Sequence, residues 1–278
     1  MSHKSAVLRV KGFNVFVEFT ASTTHTNNRT LLINGALATS ASFRNWKKFL
    51  SGKSDVITFD LPFSGLSKPF NQDDFGIVTL DDEVAIIETI ISVYQPNVIA
   101  SVSWGGAASL KLLKSGHHNL RHVIIASYSF EFNDVMQNYV AEANRLSRER
   151  KFHELAMLMN DEVGFYLPKQ MKACNYRHLA GLDDIEYRQG RFHLEQISGM
   201  RNDDYRSIVS NSPCQFHFIN GDLDRHTPQK SIQDVCGEKE NTRFYQIPEA
   251  GHFLDLEGRD CRQRMSETFR QIFSLIGG

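Results

Sequence analysis

Apolar residues along the chain follow two periods that take turns. Short runs rich in β-branched and aromatic residues recur as AVLRV, NVFVEF, TLLIN, DVITFD, NVIAS, HVIIAS, CQFHFIN and RFYQI. The later runs are continuous in apolar residues, as strands buried on both faces of a parallel sheet require. Stretches of helical period lie between them. In 79–94, Thr79 stands at a capping position and Val84, Ile87, Ile91 and Tyr94 share one face. Met265, Phe269, Ile272, Phe273 and Ile276 repeat the arrangement near the C-terminus. Strand–helix alternation predicts an α/β fold: a doubly wound, mostly parallel central sheet with helices on both faces. The opening pair, 6–18, turns near Lys11-Gly12 and reads as an antiparallel hairpin at the sheet's edge.

The alternation stops between about 129 and 206, where only helical patterns occur: 132–148, with Val135, Tyr139, Ala143 and Leu146 in register, then 150–160, 168–180 and 183–198. The chain thus divides into a first core part (1–128), a helical insertion (129–206) that precedes the next strand, and a second core part (207–278). Five of the seven methionines fall in the insertion: Met136, Met157, Met159, Met171 and Met200. Flexible thioethers suit an adaptable apolar surface such as a lid over an acyl chain, and they equally suit plain packing of insertion on core.

Chemistry enters at NVIASVSWGGAASLKLL, 97–113, where a strand gives way to a helix through Ser103. The G-x-S-x-G of a nucleophile elbow becomes S-x-S-W-G. Small residues are needed two before and two after the serine because the backbone there is strained and its neighbours press close; Ser101 and Gly105 meet that need. A serine hydroxyl needs a base, and the base an orienting carboxylate. The strand CQFHFIN is followed by GDLDRHTP, which offers Asp222 and Asp224; distance from Gly221 and the approach to Pro228 favour Asp224. The strand RFYQI is followed by PEAGHFLDLE, which places His252 on a loop before the last helix. Among the other histidines, His117 and His118 read as loop residues and His217 as packed within a strand. His226 is the rival base but lies close in sequence to the acid. The expected triad is Ser103, Asp224 and His252.

Acyl transfer also needs N–H donors for the developing oxyanion. Trp104, after the nucleophile, supplies one. The second comes from NGALATSASF after the strand TLLIN, with Ala36 preferred over Leu37. In DLPFSGLS, Asp60 and Ser67 are expected to be structural, and Phe63 stands where such loops carry glycine.

Charge narrows the possibilities further. Thirty-one basic and 32 acidic residues are interspersed, so no basic face for nucleic acid is expected. No signal peptide is read, no apolar run approaches the roughly 18 residues that span a bilayer, and a cytoplasmic protein is expected. The four cysteines are far apart and form no C-x-x-C, which fits reduced thiols and no metal site.

NGALATSASF, DLPFSGLS, SVSWGG, YLPKQMKACN, RFHLEQI, FINGDLD and GHFLDLE together resemble the synthases of 3-(3-hydroxyalkanoyloxy)alkanoic acids of rhamnolipid pathways, over most of the chain including the insertion. Asn34, Phe63 and Ser101, departures from the general hydrolase pattern, are shared by that family. The resemblance implies an α/β-hydrolase fold, with nucleophile, acid and base on Ser103, Asp224 and His252. It implies a 3-hydroxy fatty acyl thioester, on acyl carrier protein or coenzyme A, as substrate, and an ester of two 3-hydroxy fatty acids, a biosurfactant precursor, as product. No cofactor is implied. A hydrolase or thioesterase, or a transacylase between carriers, uses the same triad and remains open; intact triad residues argue against a non-catalytic binding module. Leu37 and the GFYLP residues Phe165, Tyr166 and Leu167 are expected in the acyl wall, although Phe165 to Leu167 also fit plain insertion core. Arg145, Arg148, Arg150 and Lys151 fit either docking of an acidic carrier or a solvated helix face.

Overall fold

Strands β1 (His3–Val10) and β2 (Phe13–Thr20) are joined by a two-residue turn in which Lys11 and Gly12 both have positive φ, 49° and 92°. Such a turn matches the twist of the two strands, and they pair antiparallel as the sequence predicts. The computed structural model describes residues 3–71, 76–114, 116, 119–197, 202–237 and 239–276. After the hairpin come β3 (Arg29–Ile33), α1 (Arg44–Leu50), β4 (Asp55–Phe59), α2 (Leu80–Tyr94), β5 (Val98–Val102), α3 (Trp104–Leu113) and β6 (His122–Ala126). The insertion supplies α4 (Asp134–Arg148), α5 (Phe152–Glu162), α6 (Lys169–Ala180), α7 (Asp184–Ile197) and α8 (Asn202–Asn211). The chain closes with β7 (Gln215–Gly221), α9 (Gln229–Cys236), β8 (Thr242–Ile247) and α10 (Arg259–Ile276).

Among the described residues one eight-stranded sheet forms, in the order β1-β2-β4-β3-β5-β6-β7-β8. It is parallel from β4 to β8, and β2 joins β4 antiparallel. Successive strand residues face opposite sides, so each apolar run feeds two cores. Leu31, Ile99, Val123 and Phe216 face α2, α3, α8 and α9. Leu32, Ala100, Ile124 and Ile219 face α1 and α10, where Phe269 and Ile272 are fully buried. Thr79 caps α2 with a reciprocal box: its hydroxyl accepts the Asp82 N–H and the Asp82 carboxylate accepts the Thr79 N–H.

The insertion forms its own apolar cluster around Tyr139, Val140, Ala143, Leu146, Leu155 and Tyr187. Its last helix, α8, has no counterpart among the predicted elements. Ile208 and Val209 of α8 sink into the sheet-facing core beside Cys214 and Phe216, so this helix packs with the core rather than with the other inserted helices. Among the described residues no helix is long and apolar enough to cross a membrane.

Candidate active site

Parallel strands deliver their loops to one edge of the sheet, and that edge gathers the chemistry. β5 ends at Val102, and Ser103 turns the chain into α3 with φ 50° and ψ −121°. This conformation is strained for a residue with a Cβ. It is held by a hydrogen bond from the Ser103 N–H to the Ala126 carbonyl (2.9 Å). Small neighbours are a steric requirement here. A Cβ on Gly105 would stand 2.6 Å from the carbonyl oxygens of Ile33 and Asn34, and one on Gly106 would stand 2.7 Å from the Tyr128 ring.

The three predicted triad residues converge. His252 Nε2 lies 3.2 Å from Ser103 Oγ, and His252 Nδ1 lies 2.8 Å from Asp224 Oδ2. Asp224 is buried, and its carboxylate accepts the N–H groups of His226 (3.0 Å) and Thr227 (3.1 Å) and the Thr227 hydroxyl. Burial pushes this carboxyl up, but the charge and hydrogen bond of His252 and the Thr227 donors outweigh it and hold the pKa at about 2. Burial lowers the His252 imidazole, yet the Asp224 carboxylate beside it, with Glu257, leaves it above its ordinary value. Asp222 is exposed to solvent.

Three groups that hold this geometry carry no local sequence signature. Ser127, itself at φ 50°, donates its hydroxyl to the His252 carbonyl (2.6 Å). Glu257 accepts the N–H groups of Gly251 and Phe253 (2.8 Å for the latter), bracketing the imidazole's backbone. Burial raises the Glu257 pKa against those donors. The third is a buried group behind the elbow. Glu83 on α2 accepts the Trp104 indole N–H (3.0 Å) and faces His193 Nε2 of α7 (2.8 Å), whose ring stacks on the indole. Gln189 Nε2 lies 2.8 Å from the same His193 nitrogen. This group ties core, elbow helix and insertion together. Glu83→Ala is expected to lower unfolding free energy by about 3 kcal/mol, because an indole N–H and an imidazole lose their buried partner together. Urea denaturation monitored by circular dichroism measures it; an unshifted midpoint would contradict the assignment.

The loop after β3 lies directly on the serine: a Cβ on Gly35 would meet Ser103 Cβ at 3.3 Å. Ala36 and Leu37 follow it, Leu37 with φ 59° and its carbonyl 2.8 Å from His178 Nε2. Asp60 and Ser67 brace the neighbouring loop. Asp60 accepts the Ser40 N–H (2.6 Å) and the Leu66 N–H (2.7 Å), and Ser67 donates to the Asp60 carbonyl (2.7 Å). Phe63 is buried at φ 67°, keeping the left-handed conformation that glycine would take.

Above Ser103 and His252 opens a cavity of about 470 Å³. Ala36, Leu37, Met136, Met159, Leu167 and Met171 are among its lining residues, so the wall is largely apolar and includes residues of the insertion. Leu37 and Leu167 therefore stand where an acyl wall was expected. Phe165 and Tyr166 do not line the cavity: Phe165 is 61% exposed, under the Lys172 ammonium, and Tyr166 packs over Gly251. They lie in a short turn between α5 and α6, where no periodicity fixes which side chains face inward. The four cations of the cluster are paired within the chain: Arg145 with Glu142 and Glu149, Arg148 with Glu195, Arg150 with Asp184 and Lys151 with Glu149. This favours the solvated-face reading of that cluster. His217 is packed beside His122 and Tyr245, and burial pushes its pKa down to about 3. His117, His118 and Met200 lie outside the described residues.

The sequence pattern described as the alpha/beta hydrolase fold matches residues 30–258, and the chain belongs to that family. Within it, the chain is similar to the (R)-3-hydroxydecanoyl-ACP:CoA transacylase of Pseudomonas putida, 32% identical over 262 residues, or 93% of this chain and 88% of that one. It is similar to the protein of the same name from Ectopseudomonas oleovorans, 31% identical with the same coverage. Among solved structures, a thermophilic esterase from Thermogutta terrifontis superposes with a TM-score of 0.76 at 16% identity, covering 99% of this chain and 100% of that one. That likeness speaks to the fold alone.

Proposed function

We propose that the chain is an acyltransferase that esterifies one 3-hydroxy fatty acyl unit with the 3-hydroxyl of another. Ser103 Oγ attacks a 3-hydroxyacyl thioester and passes its proton to His252 Nε2. The tetrahedral oxyanion is met by the N–H groups of Trp104 and Ala36, and collapse expels the thiolate, which takes the proton from His252. The 3-hydroxyl of a second unit then attacks the acyl-enzyme, again giving its proton to His252, which returns it to Ser103 Oγ. Asp224 stays ionised and holds the imidazole in the tautomer with its free nitrogen toward Ser103. The thioester supplies the driving force, and the scheme uses no metal or cofactor.

The observation that carries this reading is the Ser103–His252–Asp224 chain of hydrogen bonds at the base of an apolar cavity roofed in part by inserted helices. An ester synthase must keep water from its acyl-enzyme, and we assign the insertion, residues 129–206, as the lid that does so. The relatives' names give 3-hydroxyacyl thioesters of acyl carrier protein as donors, consistent with this substrate class. Those names also favour one second reading, in which coenzyme A thiol replaces the hydroxyl as acceptor. Incubating the protein with 3-hydroxydecanoyl-acyl carrier protein, with and without coenzyme A, separates the readings by mass spectrometry. The dimeric ester, formed without coenzyme A, is the expected product. Coenzyme A thioester alone would establish the second reading, and free monomer acid alone would make the protein a thioesterase.

A further inference from the structure

Five buried side-chain polar atoms have no hydrogen-bond partner among the described residues, and only one of them, His226 Nε2, belongs to a residue lining the catalytic cavity. His226 is 5% exposed. Its backbone is fixed by the hydrogen bond from its N–H to Asp224 Oδ1, and its ring meets the Tyr139 ring edge-on at 5.6 Å. No protein group among the described residues claims the ring's Nε2 nitrogen, so it is open to a partner that arrives with the substrate. Several other polar side chains of the wall are already engaged among the described residues, and the Thr39 hydroxyl, which is not, belongs to a residue that is not fully buried. Asn34 accepts from Ser42, Ser127 donates to the His252 carbonyl, His178 meets the Leu37 carbonyl, and Asn175 donates to Asn160.

We infer that His226 is the specificity-determining contact for the 3-hydroxyl of the acyl donor, the unit that becomes attached to Ser103. This rests on the acyl-transfer reading and deepens it. The acceptor's hydroxyl must lie at His252 Nε2 to surrender its proton. The donor's own hydroxyl must be held elsewhere, in a wall that otherwise offers mostly carbon. An imidazole nitrogen answers that need in either tautomer, because a hydroxyl both donates and accepts. Burial and the neighbouring His252 keep the His226 ring below its ordinary pKa, so it meets the substrate uncharged. His226 is thus assigned to substrate recognition, not to the role of base.

The test compares acylation of Ser103 by 3-hydroxydecanoyl- and decanoyl-acyl carrier protein, followed by intact-protein mass spectrometry, in wild type, His226→Phe and His226→Gln. The wild type is expected to favour the hydroxylated donor by on the order of a hundredfold in rate. In His226→Phe that ratio should fall about tenfold or more, and His226→Gln, which keeps a donor and an acceptor, should recover much of it. Circular dichroism melts verify that the variants are folded, and a misfolded His226→Phe leaves His226→Leu as the same test. An undiminished ratio in the apolar variants would overturn the inference. So would a wild type that accepts both donors equally, which leaves the acyl-transfer reading standing. A wild type acylated by neither donor would sink that reading, and this one with it.

Discussion

Ser103→Ala is expected to abolish acyl-enzyme formation and to lower the rate of ester synthesis by on the order of 10⁵-fold or more, as removal of a serine nucleophile does when the rest of its machinery stands. The size follows from chemistry that no neighbour replaces. Among the described residues that line the cavity, Ser127 is the other serine placed near His252, and its hydroxyl is held by the His252 carbonyl rather than by the imidazole. Intact mass after brief exposure to 3-hydroxydecanoyl-acyl carrier protein reads the outcome directly, with an acyl adduct on the wild type and none on the variant. Persistence of the adduct would remove Ser103 from the mechanism. A companion variant separates chemistry from architecture. Ser103 sits at φ 50°, where a Cβ is strained and glycine is not. Ser103→Gly should therefore be as inactive as Ser103→Ala and yet unfold at a higher urea concentration than it does.

Much of this site is readable in the sequence because the fold leaves its residue types little freedom. A strand buried on both faces must be a continuous apolar run, so the runs from TLLIN to CQFHFIN announce the parallel sheet. Loops at the carboxyl ends of such strands converge, so a serine, a carboxylate and a histidine placed after β5, β7 and β8 meet at one edge. The elbow marks the sequence as well: the groups that press on it come from β3 and from after β6, but the need for small residues shows at Gly105 and Gly106.

What escaped the sequence depends on long-range pairing or on direction. Glu83 and His193 are 110 residues apart, and neither shows a local pattern that would join them. Within its own segment Glu83 looks like an ordinary acidic residue in the first turn of α2. Ser127 and the His252 carbonyl meet across 125 residues. For Phe165 and Tyr166 the residue types suit a wall, but the turn leaves Phe165 exposed and sets Tyr166 against Gly251. The cluster Arg145–Lys151 shows the same limit for charge. One-dimensional sequence displays four cations, whereas the folded chain sets Glu142, Glu149, Asp184 and Glu195 against them.

Asp224→Asn tests the remaining half of the triad and is expected to lower kcat by about 10⁴-fold with little loss of fold. The amide is nearly isosteric, but it accepts through one atom only and carries no charge. The imidazole then loses both its orientation and the partner that stabilises it once it has taken the serine proton. The pH profile supplies a second, independent readout. In the proposed mechanism His252 acts as a base only while neutral, and in the wild type the Asp224 carboxylate raises its pKa above the ordinary histidine value against the effect of burial. As pH falls through that raised value the imidazole binds a proton and can no longer accept one from Ser103 Oγ. The acid limb of kcat/KM should therefore lie above about 6.5 in the wild type. Asp224 itself, at about 2, remains ionised throughout. With the charge removed, burial and the lost hydrogen bond both act to lower the His252 pKa, so the limb of the residual activity should move to lower pH. A variant whose rate falls while its acid limb stays in place would mean that Asp224 acts on something other than this imidazole.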